Sequence, residues 1–516
     1  MFLRKPINAI PEAQAEFLTS VPLEMRSRIV SGMRWTVWLS VIAAPFSYCT
    51  NILLARVGPQ VLGTYGLLGV YMSLVTCIFY LGGDAVCIKF IPELEPQDRL
   101  PFFASYFTII CLTMFPWLVV AYFWPGGAQH IFGREHNPSF DFVVIALSPV
   151  YVLFLMVAAA LKGSLEIRSA QFVLRILPIG SFILYLILFF ASRPALAVHS
   201  TGVIWGIFLG VTGIAAVAGF RQLLRLPSWQ GYLQHLRFQI PHGFWRFTLA
   251  TQQSSILGFF ISKTDYLLII NLAGLSVLGK YVAITTLPST IPVISGYFLD
   301  TLLPSLTNLI AARNLAGASE VLSVQMRILF VISAASTYGL ILFAAPLTAI
   351  FGSKYASLVP AVILGSVLIG IASPGAVGGT ILISVGKQQR AVWLQAGQLG
   401  LYVLLFFLLW PGFQLLGAVA AYGISTLVSY ILMLTVAKLS VPIPFTVSKD
   451  YFIFAFVAIV CSILAFVLMP MGIGTGILTW LIALGLFLLI GRYGLAECKQ
   501  LVHYFLPSFL RNSRPD

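Results

Sequence analysis

The chain has 516 residues, 59% hydrophobic and only 9% charged, with a formal net charge of +14 and a mean hydropathy of +0.96. Its apolar runs of about 20 residues are twice the length a barrel strand needs, and backbone groups in lipid must be bonded within each helix. The composition therefore excludes a soluble multidomain enzyme and describes an all-α polytopic membrane protein.

Residues 1–31 contain Glu12, Glu16 and Glu24 and no apolar core. They read as a cytosolic amphipathic helix and not as a secretory signal peptide. Apolar runs then predict about fourteen transmembrane helices. Six of them, at about 33–55, 62–83, 101–124, 141–161, 172–191 and 201–220, make an N-lobe over 32–222. A basic cytosolic linker rich in aromatic residues follows at 223–246. The next six, at about 247–271, 277–303, 326–350, 358–384, 391–410 and 416–437, make a C-lobe over 247–438. Two further helices at about 451–470 and 474–491 occupy 450–491, and a basic cytosolic tail covers 492–516.

Most of the basic residues, among them Arg99, Lys162, Arg221, Arg225, Lys387 and Lys438, fall in loops on one side. Arg56, Arg134, Arg193 and Lys354 fall on the other. The positive-inside rule explains this excess without nucleic acid and places both termini in the cytosol. Five cysteines, Cys49, Cys77, Cys87, Cys111 and Cys461, lie in or near apolar spans without a Cys-x-x-Cys pair, so neither a disulfide framework nor a metal site is implied. Nucleotide-binding and hydrolase motifs are missing, and no cofactor is expected. The longest external loop, Pro125 to Ser139, has fifteen residues, too few for a folded external domain.

An internal repeat organises the chain. Gly58 recurs as Gly274, Val61-Leu62-Gly63-x-Tyr65 as Val277-Leu278-Gly279-x-Tyr281, and Asp84 as Asp300, all at an offset of 216. Ile131-Phe132-Gly133 recurs as Ile350-Phe351-Gly352 at an offset of 219. With six spans per copy, both copies enter from the same side, which predicts two pseudo-symmetric six-helix lobes around a cleft. Pro178, Pro288, Pro292, Pro304, Pro346 and Pro374 lie in or beside spans, where they kink helices.

The motif Leu53-Leu54-Ala55-Arg56-Val57-Gly58-Pro59-x-x-Leu62-Gly63-x-Tyr65 resembles the first-helix signature of oligosaccharide flippases. Gly82-Gly83-Asp84, Phe90-Ile91-Pro92, Thr264-Asp265-Tyr266-Leu267-Leu268, Phe351-Gly352-Ser353-Lys354-Tyr355, Gly386-Lys387 and Leu416-Gly417-Ala418-Val419-Ala420-Ala421 continue the likeness over nearly the whole chain. Together they are similar to the polysaccharide transporter, or O-antigen flippase type, family of the multidrug/oligosaccharidyl-lipid/polysaccharide (MOP) exporter superfamily. The resemblance implies a MATE-like pair of lobes in a bacterial inner membrane that alternates access and moves a polyprenyl-diphosphate-linked oligosaccharide outward. It also implies glycosyltransferases and a polymerase of the same pathway as partners.

Ionisable groups inside a membrane usually face a cavity or a partner. Gln252, Ser255, Phe259, Lys263 and Tyr266 share one face of the seventh helix, too polar for lipid, so Lys263 either lines a substrate cavity or snorkels to the interface. Asp265 either binds a coupling Na⁺ or H⁺ or locks to Lys280 or Arg56 on a neighbouring helix. In the repeat, Lys263 and Asp265 align with Ser47 and Cys49, so these charges are peculiar to one copy. Asp84 and Asp300 are matched between copies and read as gate or structural residues. Arg56, Lys280 and Arg175 suit a diphosphate, or equally an interfacial anchor. The competing functions are a cation-coupled multidrug antiporter of the same superfamily, a polysaccharide polymerase or ligase, and a non-catalytic membrane subunit of a polysaccharide synthesis complex.

Overall fold

A computed structural model describes residues 39, 42–123, 138–192, 200–229, 237–311, 314–441, 448–468 and 473–491. The expected amphipathic N-terminus, the tail and all but the last two residues of the external loop Pro125 to Ser139 lie outside the described residues. Every regular element described is helical, and among the described residues eight helices are long and apolar enough to cross a membrane. Phe190, Leu408 and Leu489 are 80%, 66% and 77% exposed. Side chains of this kind are costly in water and suit the outer face of a bundle in lipid.

The chain divides into two compact units, Val21–Ala283 and a second that takes in Ile284–Asp516. In the first, α1 (42–57) ends at Gly58, and α2 (Pro59–Phe79) starts with a proline whose fixed φ suits a first helical turn. Gly82 and Gly83, at φ 76° and 61°, stop α2. Between the expected spans ending at 83 and beginning at 101 the chain forms not a loop but a ten-residue helix, α3 (Asp84–Glu93), opened by an acidic first-turn residue that complements the helix dipole. Next come α4 (Pro96–Phe123), α5 (Pro138–Gly163), α6 (Ile167–Ala191) and α7 (Ser200–Leu224). The aromatic core at one end joins Phe90, Phe102, Tyr106, Trp229 and Phe244, with Tyr106 and Phe244 meeting edge to face at 5.6 Å. The described end of the linker is tied to α4 by an Arg237–Asp98 ion pair of 2.8 Å and a 2.8 Å bond from the Gln239 amide to Ser105 Oγ.

Helix α8 (Phe244–Thr286) has 43 residues and non-helical torsions at Gly274. Sixteen residues apart on a straight helix, Asp265 and Tyr281 would stand about 24 Å from each other. Instead the Tyr281 hydroxyl donates to Asp265 Oδ2 at 2.8 Å, so α8 is a hairpin reversing at Gly274. The seventh and eighth expected spans are its two arms, the second interrupted after Thr286 around Pro288 and continued by α9 (Thr290–Ala311).

In the second unit, α9 is followed by α10 (Leu315–Leu342), α11 (Ala344–Phe351), α12 (Val359–Ala372), a 3₁₀ turn at Ser373–Ala376 containing Pro374, and α13 (Val377–Ser384). Helix α14 (Gln388–Ser440) reverses at Gln414, because Gln398 Nε2 reaches Thr426 Oγ1 at 3.1 Å and Tyr402 meets Tyr422 at 5.9 Å. The Thr337 side chain fills the space over Gly370, and two backbones approach closely where Gly378 faces Leu434. The last two helices, α15 (Ser448–Leu468) and α16 (Ile473–Gly491), pack on α10. Phe454 and Phe487 flank Tyr338, and Trp480 Nε1 donates to the Ala335 carbonyl at 2.9 Å.

Candidate functional site

Polar residues on four helices of the first unit open onto one cavity of about 370 Å³. Helix α2 supplies Ser73, Thr76 and Cys77, the turn after it Tyr80 and Gly83, the start of α3 Asp84, α5 Tyr151 and Leu155, and the first arm of α8 Ser255, Phe259 and Ser262. Ser73, Thr76 and Tyr80 fall on one face of α2 by the 3–4 residue period, as do Ser255, Phe259 and Ser262 on α8.

Four of these hydroxyls donate to carbonyls of their own helix. Ser73 bonds Gly69 O at 2.7 Å, Thr76 bonds Ser73 O at 2.9 Å, Ser255 bonds Thr251 O at 3.3 Å and Ser262 bonds Phe259 O at 3.2 Å. With its proton committed, each oxygen keeps lone pairs that accept from a ligand O–H. The carboxylate at the rim is balanced, since Asp84 accepts from Lys162 Nζ and from the Tyr80 hydroxyl, both at 3.1 Å. None of the lining residues is basic. The cavity is thus hydroxyl-rich and close to neutral.

Of the residues singled out in the sequence, Ser255, Phe259 and Asp84 line this cavity. Gln252 lies one turn away, where it fixes the wall. Its Oε1 accepts from the Gly82 amide at 2.9 Å, and its Nε2 donates to the Cys77 carbonyl and, at 3.3 Å, to that of Ile78. The end of α2 is therefore pinned to α8 through backbone groups that the Gly-Gly turn leaves without helical partners.

Lys263, Asp265 and Tyr266 gather instead beside the α8 hairpin. The Lys263 ammonium sits 4.9 Å from the Tyr266 ring centre, and that ring meets Tyr281 edge to face at 5.7 Å. Asp265 is 4% exposed and accepts from the Tyr281 hydroxyl and, at 2.9 Å, from the Tyr266 amide. Lys280 is half-buried on the second arm. Arg56 is exposed at the end of α1, and Arg175 on α6 lies 3.4 Å from Gln171 Oε1. Asp300 is on α9, and its side chain is outside the described part. No group of His, Cys, Asp and Glu that could hold a metal ion occurs among the described residues.

Sequence reasoning missed Ser73, Thr76, Tyr80, Tyr151, Ser262 and Lys162. The periodicity of Ser73, Thr76 and Tyr80 on an otherwise apolar helix was the available signal, whereas nothing distinguished Tyr151.

No family model matches the chain, and no curated protein sequence matches it. Solved structures do. An inward-facing multidrug resistance MATE family transporter of the MOP superfamily aligns at 12% identity over 77% of this chain and 94% of its own, with a TM-score of 0.66. The lipid II flippase MurJ, in an inward closed conformation, aligns at 13% identity over 88% of this chain and 97% of its own, also at 0.66. A MOP superfamily transporter from Pyrococcus furiosus aligns at 15% identity over 84% and 98%, at 0.53. At such identities the likeness is one of fold: this chain is built as the MATE and MurJ transporters of the MOP superfamily are built.

Proposed function

We propose that this protein is a flippase that moves a polyprenyl-diphosphate-linked oligosaccharide from the cytosolic to the outer leaflet of a bacterial inner membrane by alternating access. The observation that carries the reading is the hydroxyl-rich, charge-balanced cavity on the first unit. A glycan is dense in O–H donors, each costing several kcal/mol to bury unpaired in hydrocarbon. Acceptor oxygens at Ser73, Thr76, Ser255 and Ser262 offset that cost, and the prenyl chain stays in the bilayer. An inside-negative potential adds roughly 2.3 kcal/mol per negative charge per 100 mV to outward movement of the diphosphate.

The Asp84–Lys162 pair weighs against a cation-coupled multidrug antiporter, because a lipophilic cation needs an unbalanced carboxylate in its cavity. The two readings separate in proteoliposomes. A fluorescent polyprenyl-diphosphate oligosaccharide should become accessible to an impermeant quencher in a protein-dependent way, while a cationic dye should not be exchanged for protons or Na⁺. Dye exchange without lipid flipping would replace the flippase reading with the antiporter. Loss of the gene should also strand lipid-linked oligosaccharide on the cytosolic face, ahead of the polymerase and behind the glycosyltransferases.

A further inference from the structure

A second concavity of the first unit, about 460 Å³, lies away from the hydroxyl-lined cavity and has a different chemistry. Its walls are Leu153 on α5 and Ala216, Val217, Phe220 and Leu224 on α7, and its end is closed by Arg221 and Arg225. The shape follows from how α7 packs. Ala215, Gly219 and Leu223 are the face pressed into the bundle, and a β-carbon at Gly219 would stand 2.7 Å from Val157 and 3.1 Å from Val173. The adjoining stripe, Val217, Phe220, Arg221, Leu224 and Arg225, is left at the margin. Small Ala216 provides depth, and Phe220, leaning on Phe103 at 6.3 Å, forms a wall. Val217 is 70% exposed.

The apolar part is thus continuous with the lipid-facing surface, and both guanidiniums are exposed where α7 leaves the membrane-spanning run. Arg221 in the last turn of α7 and Arg225 in the turn that follows line the same end of this concavity, where one anion can meet both. Guanidinium groups suit phosphate because they offer several N–H donors in a fixed fork. None of the lining residues is acidic. Basic residues at the membrane surface next to apolar surface between helices are the combination that recognises anionic lipids.

We propose that this groove is a binding site for an anionic glycerophospholipid, with an acyl chain along Leu153, Val217, Phe220 and Leu224 and the phosphate held by Arg221 and Arg225. The site is independent of the transported substrate, whatever that is, and would tie the first unit to the leaflet on the side of the basic loops.

Native mass spectrometry of the full chain, titrated in neutral detergent with phosphatidylglycerol or with phosphatidylcholine of the same acyl chains, tests it. Phosphatidylglycerol should bind about thirtyfold more tightly, the effect expected of two basic residues at a lipid headgroup. The Arg221→Gln/Arg225→Gln variant should lose that preference, and Arg221→Lys/Arg225→Lys should keep most of it. Val217→Trp, which fills the groove, should weaken both lipids, and it reads the same site if the glutamine pair does not assemble. Excess inorganic phosphate should not displace the bound lipid, because it cannot use the apolar walls. An unchanged preference in the glutamine pair, unaltered lipid binding by Val217→Trp, or ready displacement by phosphate would each overturn the assignment.

Discussion

Gly63 on α2 and Gly279 on the second arm of α8 lie directly against one another: a β-carbon added to Gly279 would stand 2.9 Å from the Gly63 nitrogen, and one added to Gly63 would stand 3.2 Å from the Gly279 nitrogen. The same hypothetical carbons would run into the carbonyl oxygens of Pro59 and Leu275. These are the two glycines that the internal repeat aligns, so the motif does more than recur. Its two copies form one helix crossing, close enough that only hydrogen fits between the backbones.

Substituting alanine at either glycine should therefore lower stability by about 1–3 kcal/mol, the usual range for forcing a methyl group into a filled interface. The aligned pair Gly58 and Gly274 should behave unequally. Gly58 is extended and has nothing within 4 Å of an added β-carbon, so Gly58→Ala should be nearly silent. Gly274 is at φ 79° and ψ 179°, a region that costs other residues about 1–3 kcal/mol. Thermal unfolding of the four variants in one detergent, ranked against wild type, checks the order.

Much of this architecture was legible in the sequence because hydrophobic run length and the repeat carry it. The reversal of α8 at Gly274 could be anticipated from Gly58, and the expected breaks near 274 and 414 fall where two long helices fold back. The contact between the copies was not legible, since alignment of two motifs says nothing about their distance. Helix α3 was hidden because Gly82-Gly83-Asp84 reads equally well as a loop. In the cavity, Ser255 stood out on a helix with other polar groups, while Ser73 and Thr76 did not, because a hydroxyl bonded to its own helix carbonyl costs little in lipid and leaves no pattern of charge.

Gln252 offers a sharper structural test. Removing its amide leaves the Gly82 N–H and the Cys77 and Ile78 carbonyls buried without their partner, so Gln252→Leu should cost about 1–3 kcal/mol despite its similar volume. Gln252→Glu keeps the acceptor for Gly82 and loses the donor, and should place a charge where none is compensated. It is expected to be the worse of the two. Unfolding midpoints, together with protection of the Gly82 amide in hydrogen exchange, distinguish a loosened turn from general loss of folding.

The charge balance at the cavity rim predicts a change in selectivity. Asp84 is paired with Lys162 at 3.1 Å, so Lys162→Met leaves a carboxylate on an otherwise neutral cavity. That variant should bind a cationic dye that wild type ignores, and adding Asp84→Asn should abolish the new binding. Fluorescence titration with a lipophilic cation reads both steps, and equal binding by all three proteins would show that the rim does not set the charge preference.

The hydroxyls themselves should matter to a glycan and not to the fold. Each of Ser73→Ala, Ser255→Ala and Ser262→Ala removes one acceptor worth about 1 kcal/mol, which corresponds to roughly a fivefold rise in the substrate concentration for half-maximal flipping. Their unfolding midpoints should stay near wild type, since each hydroxyl bonds only its own helix. Phe259→Ala, which removes an apolar side chain that is 5% exposed, is the contrasting case and should lower stability.

Asp265 is the remaining candidate for coupling to an ion gradient, and its surroundings define how to test it. One carboxylate oxygen is occupied by the Tyr281 hydroxyl and the other by the Tyr266 amide, with the Lys263 ammonium over the Tyr266 ring nearby. A structural role needs the hydroxyl, whereas an ion-binding role needs the negative charge. Tyr281→Phe removes the first and keeps the second, so it should leave the gradient dependence of transport intact while loosening the hairpin by about 1 kcal/mol. Asp265→Asn keeps an acceptor for Tyr281 and removes the charge, so it should fold normally and lose any dependence on a Na⁺ or H⁺ gradient. Transport is measured in proteoliposomes with each gradient imposed in turn. If Asp265→Asn responds to both gradients as wild type does, the carboxylate is a lock between the arms of α8 and coupling lies elsewhere.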